Sequence, residues 1–291
     1  MDTSKQLGIV TVTYSPGDHL RALVASLSDA CQQDTLLVCA DNGSRDGVPQ
    51  AVAAEEPGVE FRPTGGNIGY GAAINAGVKE LALRRSEGTI DGRWFVLVNP
   101  DVQFDEGAID EMIACLEAHP DAGAVGPRIE EADGSNYPSA RELPTLGTGI
   151  GHALLGNVWP SNPFTRAYKA GEDLSRTRTA GWLSGSCLLV RWEAFEAIGG
   201  FDERYFMYME DTDFGDRLAR AGWSNVFCHT AVIRHDQGHS AKKHSKVTVP
   251  AHHASAYRYQ ADRHTRLREI PLRAALWAGL KLRSVLSLLR G

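Results

Sequence analysis

The chain has 291 residues, 43% of them hydrophobic, and a formal net charge of −6. That length suits one large α/β domain with an appendage, and no apolar run approaches the roughly 20 residues that a membrane-spanning helix needs. The five cysteines are scattered without a CxxC pair, which indicates buried, reduced thiols in a cytosolic protein rather than a zinc site or a disulfide framework. The first residues pass directly into a strand pattern, so no signal peptide is expected.

Charge is distributed unevenly along the chain. Residues 242–291 contain eleven Lys and Arg but only two acids, a net charge of +9 that leaves −15 for the residues before them. A basic tail on an acidic body predicts contact between the tail and an anionic surface. We therefore divide the chain into a main domain of residues 1–240 and a basic helical extension of residues 241–291.

The first half of the chain alternates between strand and helix patterns. A turn at 15–18 is expected to cap the first helix. Such alternation is typical of an α/β fold, here a Rossmann-like, mainly parallel sheet flanked by helices on both faces. Apolar, β-branched segments predict strands at 7–14, 35–40, 59–62, 93–98 and 122–127, and a helix is expected after each of the first four.

The second half is less regular. Residues 130–179 have weak periodicity and many Gly, Pro and Ser, which predicts a functional loop or lid with short helices around 143–155. The remaining predicted elements are a strand at 186–190, a helix from 210 to 222, one or two strands within 225–234, and terminal helices at 254–268 and 271–289.

The last predicted helix has two interpretations. Leu282, Val285 and Leu286 share one apolar face, and Lys281 and Arg283 lie on the other side. The pattern suits an interfacial helix that inserts apolar residues at the headgroup boundary while basic side chains meet anionic lipid. It also suits a helix packed on the domain or in a dimer interface.

Polar residues follow three of the predicted strands. Asp41, Asn67 and Asp101 each lie just past a strand end, and ligands of such sheets bind at the carboxyl ends of the strands. Asp41 could accept a hydrogen bond from a base or ribose, or could simply begin a turn. The glycine-rich loop 65–71 could approach a phosphate at a helix N-terminus or make a tight turn. It follows the third strand rather than the first, which counts against a nicotinamide enzyme.

Asp101 is the candidate metal ligand. A carboxylate held at a strand end suits Mg²⁺ or Mn²⁺, which take one or two protein carboxylates and complete their shell with water and phosphate. His235 is a candidate second ligand, since Mn²⁺ accepts imidazole. His239, four residues later, is equally well explained as a surface residue.

Three acids crowd the start of the helix predicted from residue 210. Glu210, Asp211 and Asp213 could complement the helix dipole as capping residues. One acid would suffice for that, and crowding raises the pKa of at least one carboxyl toward the range of a general base. Position alone leaves capping and catalysis equally supported.

The motifs together resemble the inverting glycosyltransferases of family 2, which have the GT-A fold. The motifs occur in the family's order and cover residues from about 7 to 240. They are VTVTY, DNGSRD, GGNIGYGAAINAG, NPD, the long segment SGSCLLVRWEAFEAIGGFDERYFMYMEDTDFGDRLARAG, and RHDQGHS.

The resemblance implies a role for individual residues. Residues 1–128 would form the nucleotide-sugar-binding half of the domain, and residues 129–240 the acceptor and catalytic half. Asn99 stands where many members carry an acid, so a single carboxylate would reach the metal. The implied roles are nucleotide-sugar binding for Thr13, Tyr14, Asp41, Asn67, Gly69 and Asn99, metal binding for Asp101 and His235, catalysis for Asp211 as base with Glu210, and acceptor binding for Trp182 and Gly185.

Within the family the likeness is greatest to mycobacterial rhamnosyltransferases. It implies dTDP-L-rhamnose as donor, N-acetylglucosaminyl-diphospho-polyprenol as acceptor, Mn²⁺ or Mg²⁺ as cofactor, and a peripheral position at the cytoplasmic membrane surface in cell-wall synthesis. Nucleic acid is not expected as a partner, and a homo-oligomer stays open. Galactofuranosyl or hexosyl donors need the same residues, and a nucleotide-sugar-binding module without activity is the alternative from another class. A nucleotidyltransferase is disfavoured because residues 15–18 contain no Lys or Arg.

Overall fold

The computed structural model describes residues 5–148, 159, 161–168, 173–235 and 245–290. The strands are β1 Leu7–Thr13, β2 Thr35–Asp41, β3 Val59–Pro63, β4 Trp94–Val98, β5 Val102–Phe104, β6 Ala122–Glu130, β7 Asn136–Tyr137, β8 Ala140–Arg141, β9 Arg178–Ala180, β10 Trp182–Leu183, β11 Cys187–Arg191 and β12 Ser224–His235. The helices are α1 Asp18–Ala30, α2 Val48–Glu55, α3 Tyr70–Ser86, α4 Ala108–Ala118, α5 Pro163–Tyr168, α6 Trp192–Ile198, α7 Glu210–Arg220, α8 Ser245–Ala261 and α9 Ile270–Arg290, with a 3₁₀ turn at Leu267–Glu269.

One central sheet carries the fold, in the order β3-β2-β1-β4-β11-β6-β12-β5. Its first four strands are parallel, as predicted. β11 then runs antiparallel to both β4 and β6, and β5 runs antiparallel to β12. The predicted mainly parallel sheet is thus confirmed in outline, with antiparallel strands on the side formed by the second half of the chain. A separate pair, β8 and β10, lies beside it.

Helices cover both faces of the sheet because most of its strands are buried and apolar. The core on one face takes its helical side chains from α1, α2 and α4, among them Leu20, Val52 and Ile113. The core on the other face takes them from α3, α6 and α7, among them Ile74 and Phe214. The five cysteines are free and buried, as expected.

The structure corrects several boundaries. No side chain caps α1: Gly17 precedes it, and the amide of Gly17 donates to Asp46 instead (2.9 Å). β5 was not predicted, and 225–234 belongs to the single strand β12, which has an irregularity between Cys228 and Val232. The predicted loop 130–179 contains β7, β8, α5 and β9, while most of the helices predicted around 143–155 fall outside the described residues.

The first terminal helix is longer at its start and shorter at its end than predicted. α8 begins at Ser245 and runs through Pro250, which lies inside the helix and removes one of its backbone hydrogen bonds. It ends at Ala261 rather than at residue 268. The predicted boundary at residue 240 falls outside the described residues.

α8 docks on the main domain beside α7. The hydroxyl of Ser255 donates to the carbonyl of Met207 (2.9 Å), and Tyr259 is 1% exposed. Arg263 pairs with Asp216. The C-terminal helices are therefore joined to the second half of the main domain by buried contacts.

α9 packs against α8 and leaves its other side uncovered. Leu282 is 61% exposed, and Val285 and Leu286 are also exposed. Ser284 faces inward and is buried. The predicted apolar face of this helix is therefore at the protein surface. Within the described part of the chain, no helix combines the length and the apolar character needed to cross a membrane.

Candidate active site

The register of the parallel strands brings Thr13 and Asp41 together at the carboxyl edge of the sheet. The Thr13 hydroxyl donates to Oδ1 of Asp41 (2.7 Å), and the amides of Gly43 and Ser44 donate to Oδ2 (3.1 and 3.0 Å). The hydroxyl of Ser44 also donates to this carboxylate. Asp41 is 3% exposed, so it orders the loop after β2, whereas Tyr14 is half exposed beside it.

The glycine-rich loop ends in a close backbone contact. Gly69 has φ 95°, and a Cβ there would lie 2.6 Å from the carbonyl oxygen of Phe206, so glycine is required. Its amide donates to Oδ1 of Asn67 (3.2 Å), and its carbonyl accepts from the side chain of Asn42 (3.1 Å). The loop brings the exposed Asn67 to the same edge as Asp41, while Gly69 fixes the loop against the segment before α7.

Asp101 and His235 are brought together although 134 positions separate them. Nε2 of His235 lies 3.0 Å from Oδ1 of Asp101, because β12 ends next to β5. His235 is 7% exposed and its Nδ1 has no hydrogen-bond partner among the described residues. The amide of Asn99 donates to the carbonyl of Ser186 (2.8 Å), which fixes the turn that carries Asp101. His239 lies outside the described residues.

One carboxylate and one imidazole form a ligand set suited to Mn²⁺. The described residues contain no group of three or more His, Cys, Asp or Glu side chains that could hold a metal. A cation bound here would therefore take its other ligands from water and a diphosphate, as Mg²⁺ and Mn²⁺ commonly do.

The three acids at the start of α7 have separate environments. Met209 precedes the helix, and no side chain makes a capping hydrogen bond to it. Asp213 pairs with Arg217, one turn along the helix (2.6 Å). Asp211 instead accepts from the amide of Thr212 at Oδ1 (2.7 Å) and from the amide of Gly185 at Oδ2 (3.2 Å). Asp211 thus satisfies one free amide of the first turn, whereas Asp213 is engaged by Arg217.

Burial changes the acidity of the first two acids. It raises the pKa of Glu210 to about 8, with a further contribution from the charge of Asp211. Burial also raises the pKa of Asp211, and the hydrogen bonds from Gly185 and Thr212 oppose that shift. One oxygen of Glu210, Oε2, has no partner among the described residues. The pair thus combines an acid oriented by two backbone amides with a neighbouring acid whose pKa is raised to about 8.

Tyr70 is a site residue that the sequence analysis missed. Its hydroxyl donates to the carbonyl of Gly185 (2.6 Å), and burial together with the nearby charges of Glu210 and Asp211 raises its pKa. Tyr70 thus holds Gly185, whose amide holds Asp211. Gly185 was predicted to bind the acceptor, and that stays a prediction; in the structure its backbone bonds to both Tyr70 and Asp211. Tyr70 lies within the glycine-rich loop 65–71, but nothing in the sequence indicates that its hydroxyl reaches residue 185.

A cleft of about 230 Å³ opens in front of the two acids. Trp182, a predicted acceptor residue, forms part of its wall, and its indole nitrogen donates to the carbonyl of Glu142 (3.2 Å). Among the other residues that line the cleft are three that were not predicted: Tyr137, Arg141 and His252. They come from β7, β8 and α8, so no local sequence pattern links them to the acids.

Comparison with known proteins agrees with this geometry. The model of Glycosyl transferase family 2 matches residues 8–199, and that of Glycosyl transferase family group 2 matches residues 164–291. The chain is 48% identical over 281 residues to the N-acetylglucosaminyl-diphospho-decaprenol L-rhamnosyltransferase of Mycobacterium tuberculosis, covering 96% of this chain and 91% of that protein. It is 24% identical over 254 residues to the rhamnosyltransferase WbbL of Escherichia coli K12, covering 87% and 92%.

Solved structures share the fold. The crystal structure of S. aureus TarS 1-349 matches with a TM-score of 0.56 and 14% identity, covering 96% of this chain and 81% of that one. The structure of GalNAc-T7 with UDP, GalNAc and Mn²⁺ matches with a TM-score of 0.58 and 11% identity, covering 81% of this chain and 44% of that one. A family model that spans most of the main domain, and a relative 48% identical across nearly the whole chain, establish that this protein belongs to glycosyltransferase family 2.

Proposed function

We propose that this glycosyltransferase moves L-rhamnose from dTDP-L-rhamnose to N-acetylglucosaminyl-diphospho-polyprenol, with inversion at the anomeric carbon, in the synthesis of a cell-wall linker. The observation that carries the proposal is the 48% identity to a rhamnosyltransferase over 96% of the chain. The site described above supports it, because an oriented carboxylate, a metal-ligand pair and a small cleft meet at one edge of the sheet.

The donor binds along the carboxyl ends of β1, β2 and β4. Asp41 and Thr13 shape the pocket for the nucleoside, Tyr14 and Asn67 border it, and the turn after β4 presents Asp101 to the diphosphate. Asp101 and His235 would hold Mn²⁺ or Mg²⁺, which would offset the charge that develops on the departing diphosphate.

Asp211 is the general base. The amides of Gly185 and Thr212 fix its carboxylate at the cleft, so one oxygen is presented to the acceptor hydroxyl. Asp211 accepts the hydroxyl proton as that oxygen attacks the anomeric carbon from the face opposite the diphosphate. Glu210, whose pKa is about 8, keeps its proton at neutral pH. It therefore adds no second negative charge beside the base.

α9 brings the enzyme to its lipid-linked acceptor. Its exposed apolar side chains include Leu282 and Val285, and residues 242–291 carry a net charge of +9. A basic surface with protruding apolar groups suits anionic headgroups. We therefore propose a peripheral position at the cytoplasmic face of the membrane.

A donor panel tests the proposal. The purified full-length chain is given N-acetylglucosaminyl-diphospho-prenol of short chain length together with dTDP-L-rhamnose, UDP-galactofuranose or UDP-glucose, each with Mn²⁺. Transfer from dTDP-L-rhamnose alone, with inversion shown by NMR of the product, is the expected result. Faster transfer from another donor would overturn the assignment of the sugar but leave the assignment to the family intact.

A further inference from the structure

Arg141 occupies a distinctive position in the wall of the cleft. Its guanidinium carbon lies 5.7 Å from the ring centre of Tyr137 and 6.0 Å from that of Trp182. Nε donates to the carbonyl of Pro138 (3.0 Å). Neither terminal nitrogen forms a hydrogen bond or ion pair with another described residue. The side chain is thus held at its stem and between two rings, while its terminal donors remain available.

The strand that carries Arg141 is fixed relative to the base. β8 pairs with β10 so that Arg141 lies opposite Trp182. The side-chain amide of Asn225 donates to the carbonyls of Gly181 (3.1 Å) and Gly215 (3.0 Å). These bonds join the start of β10 to the middle of α7, whose first turn carries Asp211.

Close packing reinforces this connection. A Cβ at Gly215 would lie 2.8 Å from Cβ of Trp182, and a Cβ at Gly181 would lie 2.5 Å from the amide nitrogen of Leu143. Arg141 and Asp211 therefore line one cleft at a separation that the packing of α7 against β10 holds constant.

None of the acids that the structure describes forms an ion pair with Arg141. The acids that line it are Glu142, Glu210 and Asp211, and none of them lies within 4 Å of the guanidinium. The other basic group that lines it is His252 on α8, and burial together with nearby positive charge lowers its pKa. Among the described lining residues, Arg141 thus supplies the permanent positive charge.

A guanidinium is planar and always charged, and its parallel donors match a phosphate. A cleft of about 230 Å³ suits one sugar ring between Asp211 and Arg141. We infer that Arg141 binds the diphosphate of the acceptor, one sugar ring away from the hydroxyl that Asp211 deprotonates. The inference rests on the proposed function, because it requires an acceptor whose sugar is linked to a diphosphate.

This arrangement gives the enzyme a means of choosing its acceptor. Trp182 and Tyr137 lie beside the guanidinium and Pro138 accepts from its Nε, so an anion on that side of the sugar is favoured. A sugar that lacks the diphosphate would still reach Asp211 but would leave the charge of Arg141 without a partner. The donor diphosphate is assigned to the Asp101 and His235 edge, so the two diphosphates have separate binding groups.

The test compares two acceptors in wild type, Arg141→Gln and Arg141→Lys. One acceptor is N-acetylglucosaminyl-diphospho-prenol of short chain length, and the other is an uncharged alkyl glycoside of N-acetylglucosamine. Removing hydrogen bonds to a charged group weakens binding by roughly 10- to 100-fold. Arg141→Gln is expected to raise KM for the diphospho acceptor by about that factor, with kcat and the neutral acceptor little changed. Arg141→Lys is expected to recover part of the loss, because lysine keeps the positive charge but lacks the parallel donors of the planar guanidinium.

Binding of each acceptor to enzyme saturated with dTDP is measured as well, so that the result does not depend on turnover. Arg176→Gln is the matched control. Arg176 also belongs to the segment 130–179, and its side chain is 75% exposed. Affinity for dTDP should be unchanged in all variants. A loss of dTDP affinity would assign Arg141 to the donor instead.

Equal losses on the charged and neutral acceptors would show that Arg141 only holds the cleft together. No loss on either would show that it does not contact the acceptor. Failure of the proposed function gives a different result, because the wild type would then not use the diphospho acceptor at all. Circular dichroism and thermal melting confirm that each variant is folded.

Discussion

The edge at the carboxyl ends of β1, β2 and β4, where we propose that the donor binds (the donor edge), and the cleft in front of Glu210 and Asp211, where we propose that the acceptor binds (the acceptor cleft), are built in different ways. At the donor edge, the last residues of β1 and β2, Thr13 and Asp41, bond to each other through their side chains. The acceptor cleft is assembled from short elements far apart in the chain, namely β7, β8, β10, the start of α7 and α8. The first arrangement is a property of the parallel sheet. The second depends on how the later elements pack on it.

This difference predicts how the two sides respond to change. Polar groups at the donor edge are mostly paired with neighbouring backbone, so substitutions there should act through ligand affinity. The cleft contains buried acids with raised pKa values and an unpartnered carboxyl oxygen, so substitutions there should act on rate and on the pH dependence of stability. Four experiments test this difference between the donor edge and the cleft, and they follow from the largest expected effect to the smallest.

Asp211→Asn should have the largest effect. Asn is nearly isosteric but cannot accept the acceptor proton, and loss of a general base reduces rate by roughly 10²- to 10⁴-fold. Affinity for dTDP should be retained, because Asp211 belongs to the acceptor cleft. Single-turnover kinetics and calorimetry give the two values. Retained activity would show that Asp211 is not the base.

Glu210→Gln should change how stability depends on pH. The folded state holds the Glu210 proton up to a pH of about 8, whereas the unfolded chain releases it near 4.5. The free energy of unfolding therefore falls as the pH rises through this interval, by an amount on the order of a few kcal/mol.

Urea denaturation at pH 5 and pH 8.5 measures this effect. The free energy of unfolding of Glu210→Gln minus that of wild type should be larger at pH 8.5 than at pH 5. Glu106→Gln, at an exposed position on the other side of the sheet, serves as control and should track the wild type. A constant difference between Glu210→Gln and wild type would mean that Glu210 is ionised in the fold.

Asp101→Ala tests the donor edge. A nucleotide at 100 times its Kd stabilises the folded state by about 2.7 kcal/mol. The variant should lose the part of this stabilisation by dTDP that depends on Mn²⁺, along with transfer, while the unliganded protein melts as the wild type does. Thermal shift with dTDP, with and without Mn²⁺, gives the comparison. Full metal-dependent stabilisation in the variant would show that Asp101 does not bind the metal and only shapes the turn after β4.

Substitutions on α9 should have the smallest effect and leave both sides of the site intact. Leu282→Glu with Val285→Glu places charge on the exposed face. Each apolar side chain that inserts into the membrane contributes roughly 1.5–3 kcal/mol. Loss of even part of this free energy should reduce binding to anionic liposomes by about tenfold or more. Activity on a short-chain acceptor should be unchanged.

Leu83→Glu is the matched control, because Leu83 is 54% exposed on α3, away from α9. Sedimentation with liposomes measures binding, and light scattering measures mass. Unchanged sedimentation would rule out the membrane face. A dimeric wild type that becomes monomeric in the double variant would show that α9 joins two copies of the chain.

The sequence predicted the donor edge better than the cleft for a physical reason. Strand periodicity locates the ends of β1, β2 and β4, and parallel strands bring Asp41 and Asp101 to one edge. Asp211 was found because three acids crowd four positions. Arg141 and His252 could not be found in this way, since tertiary packing alone brings them to the acids. The pairing of His235 with Asp101 was expected from the suitability of imidazole as a Mn²⁺ ligand and from the family resemblance, and the packing of β12 beside β5 brings it about.

The chain takes an unusual conformation just before the two acids. Tyr208 and Met209 both have positive φ, 68° and 66°, which costs a residue with a side chain on the order of 1–3 kcal/mol. α8 holds this segment, because Ser255 bonds to Met207 and the ring of His252 meets that of Tyr208 at 5.3 Å. Glycine at 209 would relieve the steric cost but would let the first turn of α7 change direction. Selection for heat resistance and selection for turnover would therefore favour different residues at this position.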